Sequence, residues 1–325
     1  MSRNIQLPSR RVNLRDIPAQ QYVLDDPLAD AVEVALALQL PLLITGAPGT
    51  GKTRLAWRVA ADLHAANPDF LPEPLEYTVK TTAIAQDLLY HYDALSHFHD
   101  ANLKGADSAP SVAGYIELRA LGKAIALANP TQARPYLRSE KDQQLAQRPR
   151  SSVVLIDEID KAPSDFPNDL LTELDRFTFR IREDGNQEIK LSPSNEQRVV
   201  VILTSNSEKT LPEAFLRRCV FYHIAFPDSE QLQHIVQARL PDSPPYHDQK
   251  LVEHFLQLRK RVRRKQPATS ELIDWLKILE LHDFLSDDQV PNFEALTDTQ
   301  RKTLRLSYSV LAKTEEDLKE LLKQA

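Results

Sequence analysis

Gly46-Ala47-Pro48-Gly49-Thr50-Gly51-Lys52-Thr53 is the stretch on which the fold turns. It fits G-x-x-x-x-G-K-[ST] and stands in the context that pattern needs. The apolar run Pro41–Thr45 precedes it, and Thr53–His64 follows with Leu55, Val59 and Leu63 four residues apart. The reading is strand, glycine-rich turn, helix. Phosphates need backbone amides at close range, which glycine permits by lacking a Cβ, and a helix start adds its positive end. Of the 7 glycines in the chain, Gly46, Gly49 and Gly51 all fall here, which sets the segment apart from an accidental turn. Lys52 is expected to contact β and γ phosphates and Thr53 to meet Mg²⁺, with Gly46, Pro48, Gly49, Thr50, Gly51 and Arg54 completing the nucleotide-binding segment.

About a hundred residues further on, Val153-Val154-Leu155-Ile156-Asp157-Glu158-Ile159-Asp160 reads as a buried strand that delivers carboxylates at its C-terminal end. Open α/β sheets bind ligands at that edge. Asp157 is suited to hold Mg²⁺ through water and Glu158 to polarise a water attacking the γ-phosphate. Adjacent acids also start ordinary helices, so the glycine-rich loop and the acidic strand end support each other.

Similar apolar runs recur at Leu75–Val79, Val199–Leu203 and Val220–Ala225, giving five strands of a parallel wound sheet. Pro27–Leu40 carries Leu28, Ala31, Val32, Ala35 and Leu38 at helical spacing. Phe179, Ile181, Ile189 and Leu191 alternate around Asp184-Gly185-Asn186, which predicts a β-hairpin over 178–191. The polar segments 100–110 and 134–150 read as loops. From Asp228 onward strand signals stop and helical patterns such as Leu251, Phe255, Leu258 take over. The expected division is a tail over 1–26, a nucleotide-binding α/β domain over 27–227 and a helical domain over 228–325.

With 40 basic and 46 acidic side chains the chain carries a net charge of −6, which argues against a dedicated nucleic-acid binder. The single cysteine, Cys219, has no partner for an internal disulfide, and the first residues lack the apolar core of a signal peptide. The most apolar stretch, Ala31–Ile44, is broken by Glu33, Gln39 and Pro41 and is too short for a bilayer. A cytoplasmic protein without a membrane segment is the expectation.

These residues resemble the AAA+ superfamily, and within it the MoxR-like and dynein-related branch, over roughly residues 20–280. The likeness rests on the two motifs, on the lead-in Pro41-Leu42-Leu43-Ile44-Thr45-Gly46, on Asp87-Leu88-Leu89-Tyr90-His91-Tyr92-Asp93 after the second strand, and on Leu203-Thr204-Ser205-Asn206. It implies a P-loop NTPase fold: an α/β domain with a five-stranded parallel sheet, then a small α-helical lid. It further implies an ATPase using ATP and Mg²⁺, with Asn206 at the sensor 1 position orienting the lytic water. Leu211–Cys219 resembles the helix that presents an arginine finger to a neighbouring subunit, with Arg218 the better match and Arg217 the second. A site completed by a neighbour implies a homo-oligomer, by resemblance a hexamer. Such ATPases often act on protein clients through a separate von Willebrand factor A domain adaptor, and this chain has no D-x-S-x-S motif of its own.

The lid departs from the pattern, since Glu271 stands where a nucleotide-contacting arginine is usual. The run Arg259–Lys265 could supply a substitute cation, bind nucleic acid or form a solvated helix face. His91, His97 and His99 near Asp93 and Asp100 fit no zinc spacing. Tyr90, Tyr92 and Phe98 are candidate client grips, with core packing the alternative. An ATP-driven protein remodeller is the first functional expectation. The alternatives are a nucleic-acid ATPase, such as a loader or restriction motor, and a scaffold that binds ATP without hydrolysing it. No N-K-x-D segment follows the acidic strand end, which favours ATP over GTP.

Overall fold

Five of the apolar runs form strands of one parallel sheet, which the chain reaches through a capped helix. The structure is a computed structural model that describes residues 18–104, 111–191, 197–207, 211–285 and 289–323. Most of the expected tail, residues 1–17, lies outside these, and Ala19–Gln21 is a single 3₁₀ turn. Helix α1 (Asp26–Leu38) follows; the Asp25 carboxylate caps it by accepting the Leu28 N–H, and Pro27 sits in its first turn.

Strands β1 (Leu42–Gly46) and β2 (Leu75–Thr78) flank helix α2 (Lys52–Ala66). An insertion then carries β3 (Tyr90–Tyr92), α3 (Ala94–Lys104), β4 (Ile116–Leu118), α4 (Ala120–Ala128), α5 (Pro130–Ala133) and α6 (Glu140–Leu145). After β5 (Ser152–Asp157) come α7 (Phe166–Asp169), α8 (Leu171–Arg176), and the strands β6 (Thr178–Ile181) and β7 (Gln187–Lys190). Strand β8 (Val199–Ser205), α9 (Glu213–Leu216) and β9 (Val220–Ile224) complete the α/β part.

The sheet order is β2-β5-β8-β1-β9, all parallel, with Ile156 opposite Leu203 and Ile44 opposite Thr204. Parallel central strands are covered on both faces. Accordingly β1 is buried throughout, and β5 and β8 are nearly so. Because all five strands run the same way, the C-terminal ends Gly46, Asp157 and Ser205 share one edge.

The expected hairpin forms as β6 and β7, antiparallel, with Phe179 opposite Ile189. Gly185 and Asn186 at its tip both have positive φ, and the Gln187 N–H donates to the Asp184 carbonyl at 3.1 Å, the geometry of a type I′ turn. Side chains fasten it to the insertion. Gln132 donates to the Glu188 carbonyl (2.7 Å) and accepts from the Lys190 N–H (3.2 Å), Tyr136 donates to Asp184 (2.6 Å), and Tyr90 donates to Glu183 (2.8 Å).

Two segments expected to be loops contain helix. Asp100–Lys104 is the last part of α3, while 105–110 lie outside the described residues. Glu140–Leu145 forms α6 because the Ser139 hydroxyl accepts the Asp142 N–H, a cap that outweighs the polar composition.

The helical part consists of α10 (Ser229–Arg239), α11 (Gln249–Arg261), α12 (Thr269–Leu281), α13 (Asp298–Leu311) and α14 (Glu315–Leu322). Its core gathers Phe255, Leu258, Trp275, Leu276, Leu279, Phe284, Leu304, Tyr308 and Leu311. Capping boxes start α10 (Asp228 with Gln231) and α13 (Thr297 with Gln300), each cap worth about 1 kcal/mol. The described residues divide into two units, 24–46 with 52–224, and 225–323 with 18–23 and 47–51. The change after Ile224 falls three residues before the division read from the sequence.

Candidate functional site

Lys52 opens α2, directly beyond the turn that leaves β1, and its side chain is 8% exposed. Its ammonium donates to the Gly46 carbonyl at 2.8 Å and to Asn206 Oδ1 at 2.9 Å, so it joins the ends of β1 and β8. Burial lowers its pKa, and Asp157, Asp160 and Glu158 pull it back only in part. A buried ammonium is costly unless anionic groups surround it. Gly49 and Gly51, with φ of 81° and 93°, keep the preceding loop in backbone conformations that side chains disfavour. Thr50 closes the turn by donating its hydroxyl to the Ala47 carbonyl at 2.8 Å.

Thr53 donates its hydroxyl to Asp157 at 3.1 and 3.3 Å. A hydroxyl oxygen beside a carboxylate is the all-oxygen donor set that Mg²⁺ takes, and the glycine loop and Lys52 offer amides and a cation to phosphates. The residues therefore fit a magnesium nucleotide.

Glu158 follows Asp157 in the left-handed region, at φ 61° and ψ 46°, an unfavourable place for a residue with a Cβ. Its N–H donates to the Thr204 hydroxyl at 2.9 Å, and its carboxylate accepts from the Lys161 ammonium at 2.5 Å. Glu158, which precedes the 3₁₀ turn Ile159–Lys161, is thereby tied to the turn's last residue, and the pairing raises the Lys161 pKa. The Asn206 N–H donates to Asp160 at 3.1 Å. With Oδ1 turned to Lys52, the Asn206 carboxamide has its Nδ2 donors left over for another acceptor.

Lys52, Thr53, Asp157, Glu158 and Asn206 thus lie in one bonded neighbourhood. The two arginines do not join it among the described residues. Arg217 pairs with Glu213 at 2.5 Å, both well exposed. Arg218 pairs through Nε with Asp175 of α8 at 3.2 Å and donates from Nη1 to the Ala214 carbonyl at 3.0 Å. Next to them the pKa of the Cys219 thiol is pushed up to about 12, by burial first and by Asp175 second, which favours the protonated thiol. The Arg54 guanidinium lies over the Trp57 ring at 5.8 Å.

A sequence family described as AAA domain (dynein-related subfamily) matches residues 41–219, more than half of the 325-residue chain. The chain belongs to this subfamily. It is an AAA+ ATPase with a P-loop nucleotide-binding fold, and the matched span runs from Pro41, the lead-in of β1, through Cys219. No curated protein matches it.

Outside the AAA match, Glu271 accepts from the Ala268 N–H at 3.1 Å and from the Ser270 hydroxyl at 2.9 Å, so it caps α12. In the basic run, Arg259 stacks on Phe226 at 3.7 Å and Arg264 pairs with Glu316 at 2.9 Å. The backbone N–H groups of Arg263, Arg264 and Lys265 all donate to the Asp317 carboxylate. Of the insertion residues, His97 meets the Tyr92 hydroxyl at 2.6 Å and stacks on Tyr115, Tyr90 is core, and Phe98 is exposed. Among the described residues no helix is long and apolar enough to cross a membrane.

Sequence reasoning missed Thr204, Asp160 and Lys161. Thr204 had a signal, a polar residue closing an apolar strand run, but its partners, Asp157 at the end of β5 and Glu158 just beyond it, are separated from it by more than forty residues.

Proposed function

We propose that the chain is an ATP-hydrolysing motor of the MoxR-like branch that remodels or activates protein clients. It works in the cytoplasm as a homo-oligomeric ring, a hexamer by resemblance, with residues 228–325 as its lid and a separate von Willebrand factor A domain adaptor selecting the client. The observation that carries the hydrolytic part is the chain of contacts Asn206–Lys52–Gly46 and Thr53–Asp157 at one sheet edge. It assembles a phosphate-binding cation, oxygen ligands for Mg²⁺ and polar groups for water in one place.

In this reading Lys52 would bind the β and γ phosphates, and Thr53 and Asp157 would hold Mg²⁺, which would supply charge to offset that of the phosphates. Glu158 takes the proton of the attacking water, a role worth about 10² to 10⁴ in rate, and Asn206 orients that water. Arg218 serves the neighbouring subunit. Its half-exposed side chain, held by Asp175, supports this assignment, and such arginines contribute about 10³ to 10⁵ in other systems. Arg217, more exposed and paired only along its own helix, is the second candidate.

ATP turnover per subunit, measured against protein concentration, tests the proposal. A rise to a plateau is expected, because a site completed by Arg218 of another subunit gains activity as subunits associate. Turnover independent of concentration removes Arg218 from the trans role, and no turnover at any concentration leaves a nucleotide-bound scaffold.

A further inference from the structure

We propose that Thr204 is a positioning residue for ATP hydrolysis, its one hydroxyl fixing the Asp157 carboxylate and the Glu158 backbone together. The inference rests on the hydrolytic reading above and adds a residue that the reading does not use.

The registered β5–β8 ladder ends at Ile156 opposite Leu203. One residue further along β8, the Thr204 side chain continues the connection. Its hydroxyl donates to Asp157 Oδ1 and accepts from the Glu158 N–H. Thr204 is 1% exposed. A hydroxyl buried that far from water must find partners within the protein, and here both its proton and a lone pair are used.

The two bonds fix each other. The Glu158 N–H occupies the hydroxyl oxygen, which directs the proton to Asp157. Glu158 is also the residue whose backbone has positive φ, so the acceptor stands where the chain most needs holding. That turn decides where the Glu158 side chain leaves the sheet edge.

Asp157 has a second hydroxyl partner in Thr53, and the two differ in kind. Thr53 lies at the start of the phosphate-binding helix, where its oxygen can turn to a metal ion. Thr204 lies on the neighbouring strand, buried, with its proton given to Asp157 and a lone pair engaged by Glu158, so the role assigned to it involves no contact with metal or nucleotide. Its effect is exerted wholly through the two acidic residues.

The test uses the full chain with Thr204→Val, which keeps the branched shape and removes the hydroxyl, and Thr204→Ser, which keeps the hydroxyl. ATP turnover is titrated in ATP and in Mg²⁺. For Thr204→Val we expect kcat to fall by about 10- to 100-fold, the range seen when outer partners of metal ligands are removed. KM for ATP should stay within about twofold, and half-maximal activity should need several-fold more Mg²⁺. Thr204→Ser should recover most of kcat. If Thr204→Val does not fold, Thr204→Ala is read in its place. Wild-type kcat and Mg²⁺ dependence without the hydroxyl overturn the proposal, as does a serine variant as defective as the valine one. Glu158→Gln in the same assay separates the two levels. Full turnover there sinks the hydrolytic reading itself, whereas loss there with none in Thr204→Val sinks only the role of Thr204.

Discussion

The two units bury polar groups to different ends. Among the described residues of the α/β unit, Thr45, Lys52, Thr204 and Ser205 are buried at the ends of β1 and β8 or just beyond them, at the edge where the nucleotide motifs meet, while Ser151 and Ser152 are buried at the start of β5. Among the described residues of the helical unit the buried polar side chains are Ser243, Gln300, Ser307 and Asp317, each with a hydrogen-bond partner inside that unit. Gln300 completes the capping box of α13, Ser307 accepts the Trp275 indole N–H at 2.9 Å, and Asp317, in the first turn of α14, accepts the hydroxyl of the cap residue Thr314 and three backbone N–H groups from the end of the basic run. Buried polarity that converges on one edge prepares chemistry. Buried polarity dispersed among the helices holds a shape.

Substitutions at the converging groups should therefore remove activity and leave stability nearly intact. The largest effect is expected there: Lys52→Ala loses nucleotide binding, and Glu158→Gln binds ATP but hydrolyses it about 10²- to 10⁴-fold more slowly. Fluorescent-nucleotide titration and phosphate release check the pair, and near-wild-type melting curves complete the contrast.

In the helical unit the expectation is reversed. Asp317→Ala strands three backbone N–H groups and should cost about 3 kcal/mol, read by denaturant unfolding. A lowered midpoint for signals from Trp275 would sharpen the contrast, and an unchanged one would break it.

The next effect is a pH dependence confined to the helical unit. His254 stacks on Phe293 at 3.7 Å and faces Trp275, and burial, with Arg261 adding to it, pushes its pKa down to about 4. The unfolded chain takes up the proton near pH 6.5 and the folded chain only near 4, so stability is full above 6.5 and falls between those values. Between pH 7 and 5 the loss should be about 2 kcal/mol, and His254→Phe should abolish it. Thermal melts at the two pH values decide this. The smallest effect is expected from Arg264→Ala, which breaks an exposed pair with Glu316 and should change stability by less than about 1 kcal/mol in the same unfolding assay.

The centre of the sheet was legible because its strands are runs of apolar, largely β-branched residues, as in Val153–Ile156 and Val199–Leu203, while the edge strands Leu75–Thr78 and Val220–Ile224 show weaker, mixed runs. The loop Gly46–Thr53 and the pair Asp157–Glu158 were legible because spacing along one segment encodes them. Strands β3 and β4 were not, since three residues each are too few to show alternation. Helix α6 was hidden by its polar composition, its signal being a single serine cap. The partners of the site residues were hidden for another reason. Thr204 on Glu158, Asp160 on Asn206 and Asp175 on Arg218 are meetings across more than forty residues, made only when β5, β8 and α8 come together.

The hairpin tip has a mechanical consequence. A two-stranded ribbon alone in water is barely stable and bends easily. Here Gln132 grips β7, while Tyr136 and Tyr90 hold Asp184 and Glu183 beside the tip. A load applied at Gly185 would be shared with α5, the turn that follows it and β3 through these side chains, so the hairpin is braced by the insertion and is not a free ribbon.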